Sequence, residues 1–347
     1  MMEIAWGLVV KTAKFLVVLL TLGLVMGLAS NLQAALHYRY YTTGQGPGAR
    51  PQAINDHNQV AVNFNDRAYL WTLSGGLQDL GDLGGGKSEA WGINNLGQIV
   101  GESYINSTTS HAFLWQSGQM QDLGVMSGGV GSGGLSINNL GQVIGGTLYS
   151  DNSISMFQWT QASGLKPLDL QGGLAFKIID DGRMVGSKNG HAWLWNAPGA
   201  GTDLGTLPTP YNGNAEAHDI NKNGQVVGWA MQLNPPTDSA SRAFSWTQSG
   251  GLKALSTFTP TSYSRAFGID NQGNIIGQSD GGCLWTADGT MVRLEPLVVN
   301  KPAGAIIENA NGRNAKGVIV GHGRDNGVPY MLVPTQANAA VLNLMLQ

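Results

Sequence analysis

Few side chains in this 347-residue chain are of the types that do chemistry, and their spacing limits what chemistry is open to them. Six histidines and a single cysteine, Cys283, are scattered, whereas a zinc site needs such residues clustered. Cys283 precedes Leu284-Trp285 with no base at nucleophilic spacing, so it reads as a small buried hydrophobe. Asp180-Asp181-Gly182 lacks the alternating acids and distal Glu of a calcium loop and fits a turn. Gly84-Gly85-Gly86 and Gly128-Gly129 suggest phosphate loops, but neither leads through Gly-Lys-Ser/Thr into a helix. Asn106-Ser107-Thr108 matches a glycosylation sequon in a surface loop. One pattern is left. Arg50, Glu89, Glu216 and Arg265 each stand four residues before a recurring Ile, and His218 follows Glu216 by two. Such charges suit a polar rim able to orient a small polar ligand or a glycan; solvated strand starts also carry charges for no functional reason. No catalytic residue, metal ligand or cofactor is assigned. Paired carboxylates for glycoside hydrolysis would have to converge from separate parts of the chain.

The elements that must position these residues come from internal repetition. Ile93-Asn94-Asn95-Leu96-Gly97-Gln98-Ile99-Val100-Gly101 recurs from Ile137, Ile220 and Ile269, and more weakly from Ile178. Degraded copies begin at Ile54, with Asn58 at the Gly position, and end the series at Gly317-Val318-Ile319-Val320-Gly321. Downstream in each unit lies an Ala-Phe-Leu-Trp segment, such as His111 to Trp115 or His191 to Trp195, and then Asp-Leu-Gly, as at Asp122 to Gly124. His111 and His191 belong to the repeat and are expected to serve a strand edge. Asn-x-x-Gly makes a tight turn, and the flanking β-branched and aromatic residues favour strands. Four strands in 39 to 49 residues is the size of a propeller blade. Gly at 51 residues and charged residues at 12%, about half the usual share, fit many short strands joined by turns. The fold class expected is therefore all-β, a seven-bladed β-propeller over residues 36–334. Six tryptophans recur in the third strand and are expected between blades. The seventh unit has no Asp-Leu-Gly segment, so the strand at 38–43 is expected to complete it and close the ring, removing the free sheet edges.

The paired motifs Ile-Asn-x-x-Gly-Gln-Val-Val-Gly and His-Ala-Phe-Leu-Trp resemble the HAF repeat family of extracellular bacterial proteins, over about residues 37–334. The resemblance implies secretion and a repeat fold and brings no catalytic residues with it. A Pro-Glu-Pro sorting tail is not recognised, so attachment by that route is not expected. Lys11 and Lys14 precede an apolar run from Phe15 to Ala29 and the small residues Ala34 and Ala35, the pattern of a secretory signal over 1–35. Cleavage near Ala34 would leave a secreted, periplasmic or cell-surface protein; an uncleaved segment would anchor it in the membrane. Residues 335–347 form a tail. Net charge −3 argues against nucleic acid as a partner. The function expected is a noncatalytic binding or scaffold propeller for an extracellular glycan or protein. Its site would lie on the face of the variable loops between second and third strands. The alternative is an extracellular carbohydrate-active hydrolase or lyase.

Overall fold

The computed structural model describes residues 37–46, 48–233, 240–260, 262–323 and 327–335. The signal segment read over 1–35, and all of the 335–347 tail but Thr335, lie outside these residues. Each repeat folds as four antiparallel strands in chain order, giving seven sheets. Blades 1 to 6 span 50–79, 88–124, 131–167, 174–205, 215–254 and 265–293. Blade 7 takes three strands from 309–334 and its outermost strand from Tyr38–Tyr41, which pairs antiparallel with Pro329–Pro334. The closing strand is two residues shorter than the 38–43 expected. Tyr38 and Tyr40 alternate inward onto Leu297, Ile307 and Leu332, and this burial sets its register. Asn300 Oδ1 accepts from Tyr40 N at 2.6 Å, and Thr335 N donates to His37 O at 3.0 Å.

Apolar residues join neighbouring blades. Trp115 packs with Leu70 and Leu80 of blade 1, Trp195 with Ile144 and Met156 of blade 3, and Trp285 with Val227 and Ala243 of blade 5. Trp71 and Trp159 are likewise buried, whereas Trp246 is half-buried at the margin of its cluster. Burial of each large ring between two sheets is the main term binding blade to blade.

The Asn of the turn motif does more than shape its turn. Asn55, Asn94, Asn138, Asn221 and Asn314 each accept two N–H groups of their own turn on Oδ1. From Nδ2 each also donates to a main-chain carbonyl of the next blade at 2.9–3.1 Å. The bond from Asn314 to Asn55 crosses the ring closure. Two links of this belt are built differently. Ile179 has no amide, and Arg183 Nη2 donates to Lys222 O at 2.7 Å instead. Asp270 has no donor, and Arg313 covers its carboxylate at 2.9 Å. Asn58 adopts the left-handed backbone, φ 60°, that Gly supplies in the other turns, which Asn tolerates better than most residues.

Candidate functional site

All seven inner strands break register at the same place, between Pro51 and Ala53 in blade 1 and at the matching positions of the others. Such a β-bulge leaves one residue outside the ladder and re-aims its side chain. The residues so released are Gln52, Trp91, Leu135, Phe176, His218, Phe267 and Asn311. All seven are half-buried and line a central cavity of about 390 Å³. The second strand records the bulge. A Cβ on Gly101, Gly145, Gly186, Gly228, Gly277 or Gly321 would collide with the carbonyl oxygen of the first-strand residue preceding the bulge by two. Glycine there allows the close approach.

Deeper in the channel the walls change character. Lys177 and Asp219 are the charged members of the next layer, and a layer of isoleucines with Arg313 leads to a second cavity of about 400 Å³ at the turn face. Burial pushes the Asp219 carboxyl up, opposed by Lys177 and by the N–H groups of Ile269 and Ile220 that it accepts. Asn311 donates from Nδ2 to Pro51 O at 2.9 Å, so part of the bulge layer also seals blade 7 to blade 1.

The expected rim is only partly assembled. Glu216, His218 and Arg265 meet around Trp229, a residue the repeat pattern did not single out. The His218 ring stacks on Trp229 at 3.6 Å between centroids and on Phe176 at 5.4 Å. Arg265 lies 5.2 Å from the Trp229 ring, and Phe267 meets its edge at 5.7 Å. His218 Nε2 is 3.0 Å from Glu216 Oε2. Burial among these rings lowers the pKa of His218 and outweighs the opposite pull of Glu216. The neutral imidazole therefore donates Nε2–H to Glu216, and this hydrogen bond holds the Glu216 carboxyl below its ordinary range. Glu89 stands apart on blade 2, exposed and directly across from Glu102. Arg50 is exposed on blade 1 across from Asn63; burial, and after it the Arg50 charge, lower the pKa of His322.

The repeat histidines lie away from the channel. His111 Nδ1 is 2.9 Å from Asp122 and His191 Nδ1 is 2.9 Å from Asp203. Each pair ties third strand to fourth, as Arg67 and Asp79 do in blade 1 at 3.2 Å. Cys283 is fully buried across from Gly277, where Phe113 stands across from Gly101, and burial pushes its thiol well up. Among the described residues, no three His, Cys, Asp or Glu side chains converge as a metal site requires, and no helix is long and apolar enough to cross a membrane.

The bulge layer was the part of the site that sequence reasoning missed, apart from His218. The available signal was the Gly that follows the two apolar residues of the second strand in six of the seven units, since a strand Gly marks a bulge or a close backbone approach.

No protein-family model matches the chain, and no curated protein matches it by sequence. Solved structures do resemble it. A catalytically inactive virginiamycin B lyase from Staphylococcus aureus, crystallised with quinupristin, superposes with a TM-score of 0.57 at 12% identity, over 86% of this chain and 99% of that one. The selenomethionine form of the same lyase gives a TM-score of 0.51 at 13% identity, over 86% and 99% of the two chains. At such identities the likeness establishes the fold, and the chain is a seven-bladed β-propeller.

Proposed function

We propose that the chain is a noncatalytic binding propeller, taking a small polar ligand or an extracellular glycan at the channel mouth on the face of the loops between second and third strands. The observation that carries this reading is the layer of seven bulges, which turns Trp91, Phe176, His218 and Phe267 into the channel beside Gln52 and Asn311. Ring closure alone needs no aromatic side chains at this crowded centre. Aromatic faces with a few polar groups suit a ligand that stacks and hydrogen-bonds. Variable loops on a rigid scaffold carry binding in many folds. Export with cleavage near Ala34 belongs to the same proposal; it rests on the signal pattern and on the resemblance to HAF repeat proteins, and intact-mass analysis of native material tests it.

Glycan-array binding tests the site. Binding by the wild type should fall about three- to tenfold in Phe267→Ala, the scale of one aromatic contact. It should fall further in the Arg50/Glu89/Glu216/Arg265 quadruple Ala variant. Wild-type binding that neither variant weakens would refute the placement of the site, and absence of binding to any glycan would refute the ligand class.

A second reading, a hydrolase or lyase, draws on the raised carboxyl of Asp219 in the channel wall, since a general acid needs such a shift. Turnover of a polysaccharide panel by wild type, lost in Asp219→Asn, would favour it over binding alone.

A further inference from the structure

Blade 3 differs from every other blade at the channel mouth. The first and second strands pair there as Arg50 with Asn63, Glu89 with Glu102, Leu174 with Ser187, Glu216 with Trp229, Arg265 with Gln278, and Asn309 with His322. In blade 3 the pair is Gly133 with Gly146. The Trp91 ring lies over Gly133, where a Cβ would come within 2.7 Å of it, and beside it, over Gly146, a cleft of about 330 Å³ opens onto the bulge layer. Its walls are apolar: Leu135, Leu148, Ile154 and Met156, with Trp91 and Phe176 where it joins the channel. Leu148 and Ile154 remain 39% and 53% exposed, which is unusual for side chains that would bury well together.

The one acidic side chain on this cleft is Glu102, with Glu89 across the strand pair from it. Like charges directly opposite each other are unfavourable. Neither carboxylate forms an ion pair among the described residues; Ser110 Oγ donates to Glu102 at 3.2 Å, and Lys87 is paired with Asp66. No Lys or Arg lines the cleft. Anions are therefore repelled. A neutral apolar ligand leaves the two carboxylates uncompensated. A ligand with an apolar arm and one ammonium group relieves both defects at once.

We propose that the blade 3 cleft is a subsite for an amphiphilic ammonium compound, its apolar arm lying over Gly146 against Trp91 and Ile154 and its nitrogen held by Glu89 and Glu102. The subsite rests on the reading of this face as the binding face, and it names a ligand class which that reading leaves open.

Calorimetric titration with octylammonium, octanol and octanoate tests it. Octylammonium should bind about tenfold or more tightly than octanol, as a close charge pair gives, and octanoate should not bind. Glu89→Gln/Glu102→Gln should bring octylammonium to the octanol level. Gly146→Leu should abolish binding of both. A Cβ at Gly146 would lie 3.0 Å from Ile154 Cγ2 and 3.9 Å from Met156 Sδ, so the exposed Ile154 side chain must give slightly, and the same position holds Trp229 in blade 5, so the fold accepts a side chain there. Ile154→Gln, at an exposed position, should independently weaken binding. Octanoate binding as tightly as octylammonium, or octylammonium binding untouched by Gly146→Leu and Ile154→Gln, would overturn the proposal, as would absence of octylammonium binding. Phe267→Ala lies outside this cleft and should leave octylammonium binding unchanged, so failure here is separable from failure of the glycan reading.

Discussion

Replacing Asn94 by Ala removes four hydrogen bonds and tests whether the turn belt holds the ring. The side chain accepts from Leu96 N and Gln98 N at 3.0 Å each, and donates to Gln98 Oε1 at 2.7 Å and Asn138 O at 3.0 Å. The buried carbonyl of Asn138 keeps the N–H of Gly141 at 3.1 Å, so losing the Asn94 donor should cost about 0.5–1.5 kcal/mol. The turn N–H groups are closer to water and should add about 1 kcal/mol together, for a total of about 1.5–2.5 kcal/mol. Asn94→Asp discriminates further. It keeps both acceptor roles but sets a carboxylate against two oxygens. Asp270 is the native case of an acid at this position, and there Asn274 Nδ2 and Arg313 supply the donors. Blade 2 has no arginine there, and Gln98, at the position of Asn274, must give up its bond to Gln116 to turn its amide and donate, so Asn94→Asp should be more damaging than Asn94→Ala at neutral pH. It should recover as acid protonates the carboxyl and restores a donor. Urea unfolding midpoints at constant slope measure both effects, with Leu96→Ala, 60% exposed, as the control. An Asn94→Ala cost within about 0.5 kcal/mol of that control would refute the belt as a stabilising device. A pH-independent Asn94→Asp would refute its electrostatic account.

Deleting residues 37–44 should bare the outer edge of blade 7 and cause concentration-dependent aggregation, visible by light scattering; unchanged solubility and melting would count against closure by this strand. Trp195→Ala, at a side chain 1% exposed, should cost about 3–5 kcal/mol, while Trp246→Ala should cost less than half as much; equal losses would contradict the packing described. Burial, and then the charge of Glu89, raise the pKa of Glu102, so the folded state keeps this proton to higher pH than the unfolded chain. The stability this confers is present at low pH and is lost as pH rises from the ordinary Glu range through the raised value. Glu102→Gln should flatten that slope and stabilise the protein at neutral pH, which thermal melts over a pH series rising from the ordinary Glu range to neutral would detect.

The blades were legible because each repeats residues that the backbone itself requires. Gly97 and its equivalents turn the chain, Asn94 and its equivalents hold the turn, and Phe113 or Cys283 fills one register position between sheets. The closing strand was legible from what blade 7 lacks. The channel was not, for the opposite reason. Gln52, Trp91, Leu135, Phe176, His218, Phe267 and Asn311 share a place in space but no side-chain type, so matching the units passes over them as noise. Alternation along a strand also assigns them to a face by parity, and a bulge breaks parity at that very residue. Arg50 and Glu89 fitted the recurring charge pattern and yet lie apart from the Glu216–His218–Trp229 cluster, because register fixes height along the channel and leaves neighbours around the ring to be decided by which blades adjoin. The blade 3 cleft is an absence, Gly133 facing Gly146, and only pairing across the two strands reveals it.

The hydrogen bond from Thr335 N to His37 O makes the two ends of the described chain neighbours on the rim of one blade. A short linker between them would therefore turn the backbone into a topological circle with no strand displaced. Reopening that circle in the stretch between blades 3 and 4 would give a circular permutant with the same ring, the same belt and the same channel, but with its seam at another pair of blades. The order in which blades leave the ribosome is thus a property of the gene's starting point and not of the folded ring.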